Sequence, residues 1–181
     1  MTKKYLKILQ KFQNKSVGIF VDEANLFYSQ KALGWHIDWQ KILKLLGQFY
    51  NIKISRYYMG MPLKKDAYDK NVLIKDRLEK SGLEVITKPL KKIYLGGQKK
   101  DFIYKCNFDV EITRDVIRNL DKIDLVLLVS SDSDFIGLRN DIISQQKGFI
   151  FVCFEHNVAW EIRKSYHVFF EEIEEEIKFL K

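Results

Sequence analysis

The feature that most constrains this chain is the apolar run Leu125-Val126-Leu127-Leu128-Val129, which follows Asp124 and breaks into Ser130-Ser131-Asp132-Ser133-Asp134-Phe135. Apolar residues in succession, with no polar alternation, read as a strand covered on both faces, as in the middle of a parallel sheet. The serines and aspartates fall where that strand ends and a helix predicted over 133–146 begins. In open α/β sheets this edge is where ligands bind. Capping explains part of the pattern, with Ser131 or Asp132 as the cap and Asp134 against the helix dipole. One aspartate is enough for a cap, so the pair points beyond capping. The stretch Ser16-Val17-Gly18-Ile19-Phe20-Val21-Asp22-Glu23-Ala24-Asn25 repeats the arrangement, a buried strand with an acid at its mouth.

Other segments fit the same architecture. Tyr5, Leu6, Leu9 and Phe12 recur at helical spacing within an N-terminal helix expected over 1–15. Trp39, Ile42, Leu43, Leu46 and Phe49 do so again, with Asp38 as a cap. Residues 52–59 are rich in β-formers and read as a strand, and residues 83–87 as another. Between them, residues 64–81 read as a helix closed by Gly82. Residues 149–154 read as a further buried strand preceded by Gly148 as a helix C-cap. Trp160, Ile162 and Tyr166 mark a short helix, and Val168-Phe169-Phe170 a last strand. In an acidic tail helix over 171–181, Ile173, Ile177 and Leu180 continue a stripe that begins at Phe170.

The chain has 181 residues, 46% hydrophobic and 14% aromatic, enough for one good core and a single domain. No run approaches a membrane span, and the start is helical in pattern, so a cytoplasmic protein is expected. Cys106 and Cys153 lack any partner motif, which argues against a zinc site or a disulfide framework. His36, His156 and His167 share no ligand spacing. The net charge of +7 is uneven: five glutamates against two lysines leave the last eleven residues at −3, and the body at +10. A basic body favours a polyanion partner.

The segment 88–105 concentrates that charge. Lys88, Lys91, Lys92, Lys99, Lys100 and Lys105 oppose only Asp101, with Tyr94, Phe102 and Tyr104 interleaved, and Gly96-Gly97 marks a hairpin. Cations beside exposed rings suit a flexible single strand of nucleic acid, because phosphates meet lysine and bases stack on rings. A helix follows over 108–120, with an expected inward stripe of Val110, Thr113, Val116, Ile117 and Leu120. On that phase Asp109 lies at the stripe's edge in the first turn, while Asp115 faces solvent within reach of Arg118.

Asp22, Asp109, Asp132 and Asp134 can thus share the C-terminal edge of one parallel sheet. Four carboxylates repel one another unless cations neutralise them. Oxygen donors without a matching histidine or thiolate set suit Mg2+ or Mn2+, and such ions commonly hold phosphates. With a basic strip beside them, the economical chemistry is phosphodiester hydrolysis by a metal-activated water.

Val21-Asp22-Glu23-Ala24-Asn25, Lys105-Cys106-Asn107-Phe108-Asp109-Val110 followed by Asp115, and Val129-Ser130-Ser131-Asp132-Ser133-Asp134-Phe135 resemble the successive motifs of NYN domains, in the PIN-like nuclease superfamily. The resemblance spans about 17–170. It implies a Rossmann-like three-layer α/β/α sandwich with a central, mainly parallel sheet, and metal-dependent endonucleolytic cleavage of RNA, single-stranded or unpaired. By that resemblance Asp22, Asp109, Asp132 and Asp134 match the metal-binding and catalytic acids, and Asn25 and Ser130 the small polar positions beside them. Lys99, Lys100 and Lys105 complete the expected substrate contacts. The chain departs from the family pattern at Cys106-Asn107-Phe108, where a glycine and a shorter spacing are common, and at His167, where relatives carry an acid. RNA is the expected partner, no membrane is, and a homodimer is left open. Two rivals are weighed: a non-cleaving RNA-binding or adaptor module on the same fold, and a haloacid-dehalogenase-type phosphatase. The phosphatase needs a second acid two residues after its nucleophile, where this chain has Ala24.

Overall fold

The computed structural model describes residues 4–96, 102–156 and 158–179. In chain order the elements are α1 (Lys4–Lys11), β1 (Ser16–Asp22), α2 (Glu23–Leu33), α3 (Trp39–Gly47), β2 (Asn51–Met61), α4 (Lys65–Lys80) and β3 (Glu84–Pro89). Then come β4 (Lys91–Tyr94), β5 (Phe102–Lys105), α5 (Asp109–Arg118), β6 (Leu125–Val129), α6 (Ile136–Ser144), β7 (Gly148–Cys153), α7 (Trp160–Arg163), β8 (His167–Phe169) and α8 (Glu174–Ile177). Short 3-10 turns over Ser133–Phe135 and Phe170–Ile173 precede α6 and α8.

Six strands form one sheet in the order β3-β2-β1-β6-β7-β8, every neighbouring pair parallel. The apolar runs make the sheet two-sided. Ile19 and Val21 of β1, with Leu127 and Val129 of β6, point into a core closed by Tyr5, Leu9, Trp39, Ile42 and Leu46. Phe20, Val126, Leu128 and Phe151 point the other way, onto Ile112, Val116, Leu138, Ile142 and Ile162. The result is an α/β/α sandwich in which each buried aliphatic or aromatic side chain contributes roughly 1.5–3 kcal/mol. Among the described residues, no helix is long and apolar enough to cross a membrane.

Chain order places the site. From β1 the chain steps outward through β2 to β3, then returns past β1 to begin β6 on its other side. β1 and β6 therefore flank the topological switch point, where the connections diverge and leave a crevice beyond the strand ends. Their register sets Val21 opposite Val129, so Asp22 and Ser130 emerge side by side.

Three local expectations change. Val110 and Ile117 of α5 are exposed, at 77% and 52%, whereas Phe108, Ile112, Asp115, Val116 and Leu120 are buried. The inward stripe is rotated because Phe108, Ile112, Val116 and Leu120 repeat every four residues and carry more apolar bulk. Gly148 begins β7 rather than capping a helix; a Cβ there would lie 2.7 Å from Phe12 Cε1, and Gln146 takes the left-handed conformation instead, at φ 60°. The acidic tail forms only a 3-10 turn and the single turn of α8, and Leu180 lies outside the described residues. By contrast, Asp38 caps α3 as expected, accepting from Lys41 N at 3.1 Å, and Gly82 follows α4 with φ 99°.

Candidate metal centre

Three aspartates reach the crevice through local hydrogen bonds, two of them as caps. Asp22 ends β1 in an extended conformation and caps α2, its Oδ1 accepting from Ala24 N at 3.2 Å. Asp132 caps the 3-10 turn after β6, accepting from Asp134 N at 2.9 Å, and its own N–H donates to Ser130 Oγ at 3.2 Å. Asp109 opens α5; its N–H donates to Asn107 Oδ1 at 2.8 Å, and Asn107 Nδ2 donates back to Asp109 Oδ2 at 2.7 Å. For Asp22 and Asp132 capping and a site role coincide, because each cap fixes a carboxylate at the mouth of the crevice.

One carboxylate oxygen from each of Asp109, Asp132 and Asp134 lies within 4.8 Å of the others. Asp22 stands behind this triad, 3% exposed, with its Oδ2 accepting from Asn25 Nδ2 at 2.5 Å and Ser130 Oγ at 3.4 Å. Ser131 Oγ donates to Asn25 Oδ1 at 2.8 Å, which turns the Asn25 amide nitrogen toward Asp22. Burial pushes the Asp22 carboxyl above the ordinary range, the negative charges of Asp109 and Asp132 add to it, and the Asn25 hydrogen bond opposes it. Asp109 is raised by burial and then by Asp132 and Asp134, while Asn107 and Lys105 act the other way. Glu23 adds another carboxyl at this edge. It accepts from Gly60 N at 3.3 Å, and burial pushes it up to about 7. Converging carboxylate oxygens of this kind are a donor set for a hard divalent cation.

A model of the NYN domain matches residues 16–174. The chain belongs to the NYN domain family. The low amplitude and bright protein LabA of Synechococcus elongatus is 27% identical over 154 residues, spanning 85% of this chain and 82% of that protein. A crystal structure of a protein of unknown function from Vibrio parahaemolyticus matches 92% of this chain and 98% of its own, with a TM-score of 0.73 at 22% identity. That second likeness is one of fold.

Within this NYN domain the structure brings Asp109, Asp132 and Asp134 together, with Asp22, Asn25 and Ser130 bonded to one another just behind. Lys105, at the end of β5, is near enough to lower the proton affinity of Asp109. Lys99 and Lys100 lie outside the described residues. β4 and β5 pair antiparallel as a ribbon exposed on both faces, one face carrying Lys92, Tyr94, Phe102 and Tyr104, the other Lys91, Ile93, Ile103 and Lys105. Lys92 Nζ sits 3.8 Å from the centroid of the Phe102 ring.

Asp115 corrects the sequence reading: it is buried and faces away from solvent. Its Oδ2 accepts from Tyr58 Oη at 2.9 Å and lies 3.3 Å from Arg56 Nη1, while Oδ1 lies 3.2 Å from Arg114 Nη2. Arg56 and Tyr58 sit two apart on β2, so both reach the same face of the sheet, where Asp115 meets them. Glu23, Asn107 and the Asp115 partners were missed from the sequence. For Asp115 the signal was its position three residues after Ile112 on the four-residue repeat; for Glu23 and Asn107, each beside or two residues from an identified acid, nothing in the periodicity marked them.

Proposed function

We propose that this NYN domain is a Mg2+- or Mn2+-dependent endoribonuclease that hydrolyses phosphodiester bonds in single-stranded or unpaired RNA. The observation that carries the reading is the convergence of Asp109, Asp132 and Asp134 within 4.8 Å at the switch point, backed by buried Asp22. The donors are all oxygens, with no thiolate or imidazole among them, which fits a hard ion. When bound, such an ion supplies charge neutralisation at the cleaved phosphate and activates a water for in-line attack.

The chain's own residues prepare that site. Asn25 and Ser130 hold the Asp22 carboxylate by donating to one oxygen, and the Ala24 N–H holds the other. Asn107 locks Asp109 in the first turn of α5. Asp134 is the exposed member and completes the triad. The ribbon supplies what the acids lack: Lys91, Lys92 and Lys105 for phosphates, and Tyr94, Phe102 and Tyr104 for unpaired bases. Lys99 and Lys100, between the two strands in sequence, are assigned the same role on their charge. A pure binder gains nothing from carboxylates facing a phosphate, so the acids favour cleavage over the adaptor reading.

Incubation of labelled single-stranded RNA and DNA with Mn2+, Mg2+ or chelator tests this. Wild type is expected to cut RNA only with the ion, and Asp132→Asn to lose at least about a hundredfold in rate, beyond what loss of an outer-shell partner does. RNA that is bound yet stays intact with either ion would establish the non-cleaving module instead.

A further inference from the structure

An open cleft of about 380 Å³ runs beside the acids, and its wall includes Asp132. It is lined by Asn25 and Ser29 of α2, Ser131 and Ser133 after β6, and His156 and Ala159 from the segment after β7. Asp132 belongs to both the cleft and the acidic triad, so whatever occupies the cleft lies directly beside the cleaved phosphate. Beside Asp132 the polar lining is three hydroxyls, an amide and an imidazole, which offer donors and acceptors together. Among the described residues no lysine or arginine lines the cleft, so away from an ion held at the triad a phosphate would find no fixed positive charge there. A hydrocarbon would strand the polar groups. The lining suits a neutral, hydroxyl-rich group of nucleotide size.

Two of the three hydroxyls are held in place. Ser131 Oγ donates to Asn25 Oδ1 at 2.8 Å and Ser29 Oγ to the Asn25 carbonyl at 3.4 Å. Ser133 and His156 stand exposed at the cleft. Beyond Ala159 the chain continues into Trp160, whose indole is 64% exposed with Lys164 Nζ 4.9 Å from the ring centroid. Along the chain the polar wall is followed by an exposed indole and a cation, the kinds of group that meet the sugar, base and next phosphate of a nucleotide.

We propose that this cleft is a ribonucleoside subsite, in which Ser133 and His156 hydrogen-bond the ribose 2'-hydroxyl of a nucleotide flanking the cleaved bond, and Trp160 stacks its base. The proposal rests on reading the acids as a phosphodiester-cleaving site, and it assigns to the cleft the choice of RNA over DNA. A site built to hydrogen-bond a hydroxyl rejects the analogue lacking it, because its own polar groups are then left unpaired. The ribbon's rings and lysines suit base faces and phosphates, which RNA and DNA share.

The test is equilibrium binding, by anisotropy, of fluorescein-labelled single-stranded RNA and the same sequence as DNA, in an Asp109→Asn background that stops turnover. RNA should bind at least about tenfold more tightly than DNA, a difference of about 1.4 kcal/mol. Adding Ser133→Ala or His156→Ala should bring that ratio to within about twofold, mainly by weakening RNA. Adding Trp160→Ala should weaken RNA and DNA about equally. All three side chains are exposed, so truncation leaves the core untouched. Equal affinity for RNA and DNA, or a ratio that neither Ser133→Ala nor His156→Ala changes, overturns the subsite. Cleavage by the otherwise wild-type protein is measured separately: absence of cleavage with the RNA preference intact would overturn the nuclease reading and leave the subsite standing.

Discussion

At the scale of single residues, three carboxyls at the sheet edge are shaped more by burial than by mutual repulsion. Desolvation is the largest influence on Asp22, Glu23 and Asp109 alike, and each is raised. A raised carboxyl binds a proton more tightly in the folded chain than in the unfolded one, so stability falls as pH rises through the window. For Glu23 the window runs from its ordinary 4.5 to about 7. In chelator, wild type should therefore lose stability between those values. Glu23→Gln keeps an acceptor for Gly60 N and should flatten the loss, gaining up to about 3 kcal/mol relative to wild type above the window. Urea melts across this pH range check it; an unchanged slope would take Glu23 out of the account. Cations should act in the opposite sense. Mn2+ at about a hundred times its dissociation constant should stabilise wild type by about 2.7 kcal/mol. The melting temperature of Asp132→Asn should move much less, and equal shifts in both would remove the acidic cluster as the binding site.

Among the elements, α5 and the ribbon decide how the site is held and what it can reach. α5 carries Asp109 at its start and is tied to β2 through Asp115, Tyr58 and Arg56. Asp115→Ala leaves a buried phenol and a partly buried guanidinium short of a partner and should cost about 3 kcal/mol, read from denaturant melts. A cost below about 1 kcal/mol would mean that the tie is dispensable. The sequence showed that α5 exists and that Asp109 starts it, because apolar residues recur at helical spacing. It did not show the helix's rotation: two interleaved apolar sets, one through Ile112 and Val116 and another through Val110 and Ile117, compete, and only packing against Phe20 and Tyr58 separates them. The ribbon was legible for a simpler reason, since Gly96 and the flanking β-formers fix a hairpin locally, and Gly96 does take a left-handed φ of 79°. Replacing Lys92 and Lys105 by alanine should weaken RNA binding and flatten its salt dependence by about 0.7 in logarithmic slope for each phosphate that a lysine no longer neutralises. An unaltered slope would make the ribbon a merely solvated surface.

For the whole molecule, the order of strands makes the chemistry available. β1 and β6 were readable as buried strands from their unbroken apolar runs, and an acid after each placed Asp22 and Asp132 at one edge as soon as the sheet was taken as parallel. The order in which strands pair is set by long-range packing, so the sequence could not place the switch point between these two strands. Nor could it set Asp22 behind the triad, held by Asn25 and Ser130, since that depends on the register of Val21 against Val129. The central claim, hydrolysis by a water that divalent cations activate at these acids, is tested most directly by the ends of the RNA products. Water attacking in line should leave a 5'-phosphate and a 3'-hydroxyl, formed only with Mg2+ or Mn2+ and lost in Asp132→Asn. Products ending in 2',3'-cyclic phosphate, made by purified wild type and persisting in chelator, would contradict it.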